Sequence, residues 1–272
     1  MKNISYNLVK KLREITGIGI LDCKKEIIIT NGDIKKAILN LRKRGAIKAE
    51  IKNIKKTNSG IILVSRKKDF CAILEINCET DFVANSKNFY QFGSKIIEYA
   101  IQNSCKSLEQ LTTKFESLRI DLLNRVNENI KISRYNFIED DILYSYIYRN
   151  KIGVLLSVEI KKYNKHDKYD NNILKQISMH IVAKNPKYLN FQDIPKNIIN
   201  KEKSIQLELT KKLKKPQKFF QKIVRGKVRK FFSQIILMEQ NFVMKENITI
   251  NQLALKNNII IKKFVRLEVG EI

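Results

Sequence analysis

Apolar residues recur every three or four positions over the first 46 residues, which predicts a compact bundle of three short helices. The first helix carries an apolar stripe made of Leu8, Leu12 and Ile15. Gly17 is placed to end this helix, and the second helix stops at Asn31-Gly32. Asp33 can cap the third helix, and Gly45 is placed to end it. We therefore predict a helical module over residues 1–47.

A lysine- and asparagine-rich stretch follows and predicts a linker over residues 48–59. Beyond it the pattern predicts a first α+β subdomain over residues 60–140. Its strands are a hairpin of Ile61–Val64 and Phe70–Ile76 and a closing strand near Ile130–Ile138. Two helices, about 86–102 and 107–126, lie between the hairpin and the closing strand.

The second half, residues 141–272, repeats this order. A hairpin of Ile142–Tyr148 and Ile152–Ile160 precedes a helix that stops before Pro186, and Ile259–Val269 forms the last strand. Between them, residues of about 196–238 carry two helical patterns broken near Pro216, which predicts an inserted antiparallel helical hairpin. The predicted tip of this hairpin is rich in lysine, at Lys211, Lys212, Lys214 and Lys215. The predicted fold class is α+β.

The segment Ile76–Ala84 lies where a buried strand turns into a helix. Thr80 and Asp81 are residue types that cap helices, so Phe82 falls in a polar junction. Periodicity leaves two interpretations equally open for the Phe82 ring. It closes the strand–helix corner as part of the core, or it protrudes beside the Asp81 carboxylate as a wedge for a partner protein.

The charge is strongly positive, with 53 Lys and Arg against 27 Asp and Glu and a formal net charge of +26. Such a surplus is typical of nucleic-acid binding. The lysines, however, are spread along the chain among abundant Ile and Asn, and these residues share A/T-rich codons. Genome composition is therefore the alternative explanation.

The four cysteines form no C-x-x-C pair and only His166 and His180 could join them, so we expect no metal site and free thiols in a reducing compartment. No apolar run reaches the roughly 20 residues of a membrane span, and the N-terminus lacks a secretory pattern. We expect a cytoplasmic protein.

Motifs typical of enzymes are missing from the sequence. Thr16-Gly17-Ile18-Gly19 is a G-x-G between helices without the third glycine, and no P-loop pattern is present. His180 lies on an apolar helix, where a structural role is favoured over catalysis. We expect no cofactor, no small-molecule substrate and no covalent chemistry.

Several ordered motifs resemble the elongation factor Ts family over nearly the whole length. The first is Leu8–Glu14 followed by Thr16-Gly17-Ile18-Gly19, and it continues in Asp22–Lys25, Asn31–Asp33 and Leu41–Ala46. The second is Asn77-Cys78-Glu79-Thr80-Asp81-Phe82-Val83-Ala84. Further matches are Ile152–Val154, Met179–Ile181, Asn241–Met244 and Arg266–Glu271.

The resemblance implies a ubiquitin-associated-like N-terminal module, two related core subdomains and a helical protrusion. It also implies that the chain is a guanine nucleotide exchange factor whose partner is elongation factor Tu. In the family, the residues matching Asp81 and Phe82 insert into the GTPase and disturb its magnesium and phosphate sites. The implied contact segment is Thr80, Asp81, Phe82, Val83 and Ala84. Further contacts are expected from exposed positions in the N-terminal module, at Val9, Arg13, Gly17, Ile18 and Gly19.

Two departures concern the edges of the implied interface. Tyr148 is a further expected partner contact, but it stands where the family often has a histidine, so the contact would not be one specific to imidazole. The sequence given ends at Ile272, whereas longer members continue into a further helical segment. The alternative function is a basic RNA- or ribosome-associated protein, although the sequence carries no RNA-recognition signature.

Overall fold

The computed structural model describes residues 6–52, 56–161, 171–211 and 220–271. The α-helices in these ranges are α1 (Tyr6–Thr16), α2 (Ile20–Ile29), α3 (Ile34–Lys52), α4 (Asp81–Ala84), α5 (Lys87–Gln102), α6 (Leu108–Val126), α7 (Asn171–Lys184), α8 (Lys196–Lys211), α9 (Phe220–Ile235) and α10 (Ile250–Lys256). The strands are β1 (Ser59–Arg66), β2 (Phe70–Cys78), β3 (Ile130–Glu139), β4 (Leu143–Tyr148), β5 (Ile152–Ile160), β6 (Asn241–Phe242), β7 (Lys245–Thr249) and β8 (Ile259–Glu268). This mixture of helices and sheets agrees with the predicted α+β class.

The described residues fall into two compact units. The first contains the chain up to Phe137 together with Ile147–Gly153 and the residues from Leu267 onward. The second contains Ile138–Tyr146 and Val154–Arg266. The segmentation expected from the sequence, with boundaries near residues 47, 59 and 140, stays a prediction.

The three N-terminal helices pack around a small core. Its buried members are Val9, Leu12, Cys23, Ile27, Ala37 and Leu41. Glu26 lies buried beside this core, where it accepts hydrogen bonds from Asn40 Nδ2 at 2.8 Å and Arg44 Nη1 at 2.7 Å. These partners matter because a buried carboxylate without them would strongly destabilise so small a bundle.

The predicted end of the third helix at Gly45 is wrong. Helix α3 continues through Gly45 to Lys52, so the start of the predicted 48–59 linker is helical, and residues 53–55 lie outside the described ranges. The glycine has a different role, because it lies against Asn124 of α6. A Cβ atom at position 45 would be only 1.9 Å from Asn124 Nδ2. Gly45 therefore permits the close approach of two helices.

Strand β2 is the centre of the first unit's sheet, whose strand order is β1-β2-β3. All nine of its residues are buried, and it pairs antiparallel with β1 from Ser59↔Cys78 to Arg66↔Cys71. Helix α5 packs against both strands of this hairpin. Its inner face is the one predicted from the sequence, with Phe89, Phe92, Ile96 and Ala100 all buried.

Glu75 is the polar exception within buried β2. Its Oε1 accepts from Asn77 Nδ2 and from the Gly270 N–H, each at 2.9 Å, and its Oε2 accepts from Arg134 Nε. Arg134 also donates to the Glu268 carbonyl. One buried carboxylate thus joins β2 to β3 and to the chain after β8, all within the first unit.

The second unit is built on a sheet of order β4-β5-β8. Helix α7 contributes Leu174, Ile177 and Ile181 to its core. Helices α8 and α9 pack together, and a separate cluster joins Ile198 and Ile199 of α8 to Val228 and Phe232 of α9. Of the predicted lysine-rich tip, Lys211 ends α8, whereas Lys212, Lys214, Lys215 and Pro216 lie outside the described residues.

His180 of α7 is fully buried in the second unit. Its Nδ1 accepts the Val243 N–H at 3.2 Å, so Nε2 carries the proton and donates to Gln240 Oε1 at 2.9 Å. Burial lowers the pKa of the ring below its ordinary value of 6.5, and repulsion from Lys184 acts in the same direction. His180 therefore lies in the core as a neutral ring that holds the Phe242–Val243 backbone.

Two helix glycines are expected to respond oppositely to alanine. A Cβ at Gly93 of α5 would lie 2.2 Å from Leu63 Cδ1 and 2.9 Å from Ile76 Cδ1, whereas a Cβ at Gly226 of α9 meets nothing within 4 Å. Gly93→Ala should lower the free energy of unfolding by about 1–3 kcal/mol through overpacking. Gly226→Ala should raise it by about 0.5–1 kcal/mol through helix propensity. Calorimetry on both variants checks this, and a stabilising Gly93→Ala would contradict the packing described for α5.

The second unit should lose stability in mild acid through His180. Because the folded-state pKa is depressed, the unfolded chain binds a proton first. The contribution of His180 is therefore complete above about pH 6.5 and is lost as the pH falls from 6.5 toward the folded-state pKa. An NMR titration of the ring, assigned with His180→Gln, should give a midpoint below 6.5. A midpoint at or above that value would rule out the buried neutral ring.

Candidate functional site

The turn after β2 is fixed by two successive helix starts. Thr80 adopts extended backbone angles (φ −120°, ψ 157°) and caps α4, its hydroxyl accepting the Val83 N–H at 3.4 Å. Six residues later Ser86 caps α5 and accepts the Phe89 N–H at 3.3 Å. These caps satisfy amides that a helix start otherwise leaves unpaired. The chain therefore makes a sharp corner with little freedom.

Phe82 lies on the outside of this corner with 85% of its surface exposed. Among the large apolar side chains that the structure describes as exposed, the next values are 71% for Leu21 and 68% for Tyr6. The interpretation of Phe82 as a core aromatic is therefore wrong. The reason is local, because Val83 and Ala84 turn inward onto the core of the first unit and position 82 must then point away.

The five predicted segment residues divide into two groups. Asp81 and Phe82 are exposed side by side, whereas Ala84 is buried and Val83 and Thr80 are partly buried. The inner group holds the turn on the core. The outer group presents a carboxylate and an aromatic ring to solvent.

A carboxylate from a distant loop holds the capping residue in place. Glu128 Oε1 accepts from Thr80 Oγ1 at 2.6 Å, and its Oε2 accepts the Thr80 N–H at 3.0 Å. Glu128 directly follows Asn127, which ends α6 in the left-handed conformation with φ 58°. Hydrogen bonds to a carboxylate are stronger than those between neutral groups.

A second hydrogen bond joins the same two loops, and here the carboxylate comes from the loop after β2. Glu79 Oε1 accepts the Asn129 N–H at 2.8 Å. We call this pair of contacts, Thr80–Glu128 and Asn129–Glu79, the double carboxylate clamp. Sequence reasoning did not find it, because its partners are about 50 residues apart and no local pattern joins them.

Cys78 precedes the turn and carries an unreactive thiol. Its thiol is buried and donates to the Thr80 carbonyl at 3.1 Å. Burial raises the pKa of the thiol to about 12, with the nearby Glu128 carboxylate adding to the effect. Since the thiolate is the nucleophile, Cys78 is not a reactive cysteine at neutral pH.

Comparison with known proteins gives consistent results over the full chain. The sequence model described as Elongation factor TS matches residues 79–271. A protein named Elongation factor Ts from Baumannia cicadellinicola is 44% identical over 273 residues, covering 100% of this chain and 95% of the relative. Another protein of that name, from Buchnera aphidicola subsp. Baizongia pistaciae, is 41% identical, covering 100% of this chain and 99% of the relative.

The chain belongs to the elongation factor Ts family. The predicted family is thereby confirmed, together with its association with translation elongation and protein biosynthesis. The matched range begins at Glu79, so it contains the Phe82 turn and both carboxylates of the clamp.

The second group of predicted contact residues lies in the N-terminal module. Arg13, Gly17 and Gly19 are exposed, and Ile18 is partly buried against the bundle core. The expectation that Val9 is exposed is wrong, since only 5% of it is accessible. Val9 lies on the same helix face as Leu12 and packs into the bundle core.

Gly17 lies beside Arg125 of α6. It adopts φ +69°, a conformation that other residues rarely take, and Arg125 Cγ and Cδ lie 3.2 Å from where its Cβ would be. Both the backbone conformation and the neighbour therefore call for glycine. The Arg125 side chain covers one side of the loop that was predicted to contact a partner.

Tyr148 ends β4 at the tight turn leading to β5. It is 43% exposed, and the guanidinium carbon of Arg149 lies 5.3 Å from its ring centroid. Arg149 and Asn150 both have positive φ, and the Asn150 carbonyl accepts the Ile62 N–H at 2.7 Å. The turn is thereby attached to β1. A partner contact by Tyr148 stays a prediction.

Within the described ranges, no group of three or more His, Cys, Asp or Glu side chains is arranged to hold a metal ion. The same ranges contain no helix long and apolar enough to cross a membrane.

The clamp should make the turn rigid through Thr80. Thr80→Val keeps the shape of the side chain but removes its hydrogen bonds to Val83 and Glu128, so we expect about 1–2 kcal/mol lower stability. Hydrogen exchange of the Val83 amide should speed up. Thr80→Ser retains both bonds and is the matched control. Equal exchange rates in the two variants would show that the clamp does not order the turn.

Proposed function

We propose that this chain is a guanine nucleotide exchange factor for elongation factor Tu. It binds the GDP-bound and nucleotide-free partner, promotes exchange of GDP for GTP and carries out no covalent chemistry. The observation that carries the proposal is the 85% exposure of Phe82 on a turn held by caps and by the double carboxylate clamp. The family to which the chain belongs supplies the partner.

The proposed architecture follows the family. Helices α1–α3 form a ubiquitin-associated-like module, the two sheets belong to two related core subdomains, and α8 and α9 form an inserted antiparallel hairpin. In this arrangement the Phe82 turn belongs to the first subdomain. We also propose a cytoplasmic location, where the translation machinery operates. Transient proximity to ribosomes or tRNA, beside the partner GTPase, belongs to the same proposal.

The proposed mechanism is coupled binding. Phe82 enters an apolar cleft of the partner GTPase, and burying the ring contributes roughly 1.5–3 kcal/mol. The Asp81 carboxylate, exposed beside it, adds charged hydrogen bonds. Displacing groups around Mg²⁺ and the phosphates weakens nucleotide binding, because the metal is a large local charge in that site. Factor and nucleotide then weaken each other's affinity by the same ratio.

A preformed turn makes this mechanism efficient. The Thr80 and Ser86 caps and the clamp fix the backbone on both sides of Phe82 before the partner arrives. Ordering a loop during binding costs free energy that is not available for displacing the nucleotide. A rigid wedge directs more of its binding energy to the partner's phosphate site.

Release of fluorescent GDP from the cognate elongation factor Tu tests the proposal. The chain should accelerate release, and Phe82→Ala should reduce the acceleration roughly 10- to 150-fold, from the roughly 1.5–3 kcal/mol of lost burial. Its own stability should be unchanged, since the ring makes little contact with the fold. Leu255→Ala is the matched control, because Leu255 is 61% exposed on α10.

Two outcomes would contradict different parts of the proposal. If the wild-type chain leaves GDP release unchanged, the exchange function fails. If Phe82→Ala matches the wild type while release is accelerated, only the wedge role of Phe82 fails. Asp81→Asn separates the contribution of the charge from that of the ring.

A further inference from the structure

Helix α9 has two chemically distinct faces. Val224, Val228 and Phe232 follow each other at intervals of four and are buried. The remaining surface of the helix exposes Lys222, Arg225, Arg229 and Lys230, which we call the basic face of α9. These four cations lie within nine consecutive residues, so the helix presents about one or two of them per turn of 5.4 Å.

Within the described ranges, no ion pair neutralises the charge of the basic face. Helix α9 itself contains no acidic residue among its 16. Like charges at this spacing repel each other and weaken a helix. An external anion would relieve that repulsion.

Gly226 interrupts the basic face without an internal reason. Glycine is a poor helix former, and a Cβ atom at this position would meet nothing within 4 Å. The packing of α9 therefore does not require it. A bare backbone between Arg225 and Arg229 does, however, permit a bulky anionic chain to approach the helix closely.

A concavity of about 520 Å³ lies beside Gly226. Arg229 and Lys230 line it together with Ser233, and Thr249 and Asn251 contribute neutral polar groups from the start of α10. Glu239 also lines it, so an anion would be expected to bind on the side formed by α9. The surface thus combines cations with hydrogen-bonding groups suited to phosphate and ribose oxygens.

We propose that the basic face of α9 and this concavity bind the phosphate backbone of RNA. Arginine binds phosphate through two parallel hydrogen bonds, and closely spaced cations match a polyanion better than a single anion. Binding is independent of base sequence, since the contacts are to phosphates. A membrane surface is not favoured, because the apolar face of α9 that would insert into lipid, formed by Val224, Val228 and Phe232, is already buried within the protein.

Fluorescence anisotropy with a labelled RNA hairpin tests the proposal. The affinity of the wild-type chain should fall more than about tenfold between about 50 and 200 mM salt, as phosphate contacts release counterions. The triple variant Arg225→Gln/Arg229→Gln/Lys230→Gln should bind about tenfold more weakly and lower the salt slope by about 2–3. Gly226→Leu should also weaken binding, although it leaves the charge unchanged.

The matched control is Lys10→Gln/Lys24→Gln/Lys35→Gln, which removes three exposed cations from the N-terminal module. It should retain the wild-type affinity within about twofold, because non-specific attraction from net charge alone is spread over the whole surface. Equal weakening of both triple variants would overturn the proposal. So would wild-type affinity in Gly226→Leu, or competition by anionic vesicles or polyglutamate as effective as that of unlabelled RNA. The proposal is independent of the exchange function, which the α9 variants should leave intact.

Discussion

The complete burial of β2 is the constraint on which the first unit depends. A strand buried along all nine residues must be covered on both faces and paired on both edges. β1 and β3 provide the pairing. Helix α5 covers the hairpin, and its Gly93 allows close contact with Leu63 and Ile76. Because nothing in β2 can shift without opening this core, the point at which it ends is fixed as well. The Phe82 turn begins two residues beyond that point.

Buried polar contacts link β2 to segments that are distant in sequence and fix the positions of those segments as well. Glu75 joins β3 and Gly270 to the middle of β2, and the double carboxylate clamp joins the end of β2 to the loop after α6. In both cases a carboxylate accepts hydrogen bonds from groups far away in sequence. Such bonds are worth most where water is excluded, and they specify one arrangement of the loops they join.

Much of the fold could be predicted from the sequence, because apolar periodicity directly reports which face of an element is buried. The hairpin of β1 and β2, the inner face of α5 and the pair α8 and α9 are examples. The roles of single residues follow less directly from the sequence. Gly45 has the residue type of a helix end, but its close approach to Asn124 explains the glycine, and Val9 is buried although the family resemblance predicts it at the surface. The orientation of Phe82 and the role of Glu128 depend on contacts between distant segments, which local patterns do not record.

The bonds that shape the Phe82 turn involve the side chains of Thr80, Ser86, Glu79 and Glu128, and not those of Asp81 or Phe82. The side chains that hold the turn are therefore different from the two that it exposes. The residues at positions 81 and 82 can therefore be exchanged without loss of the side-chain contacts that hold the turn. Another strand–helix corner with the same caps and clamp could therefore present a different pair of side chains.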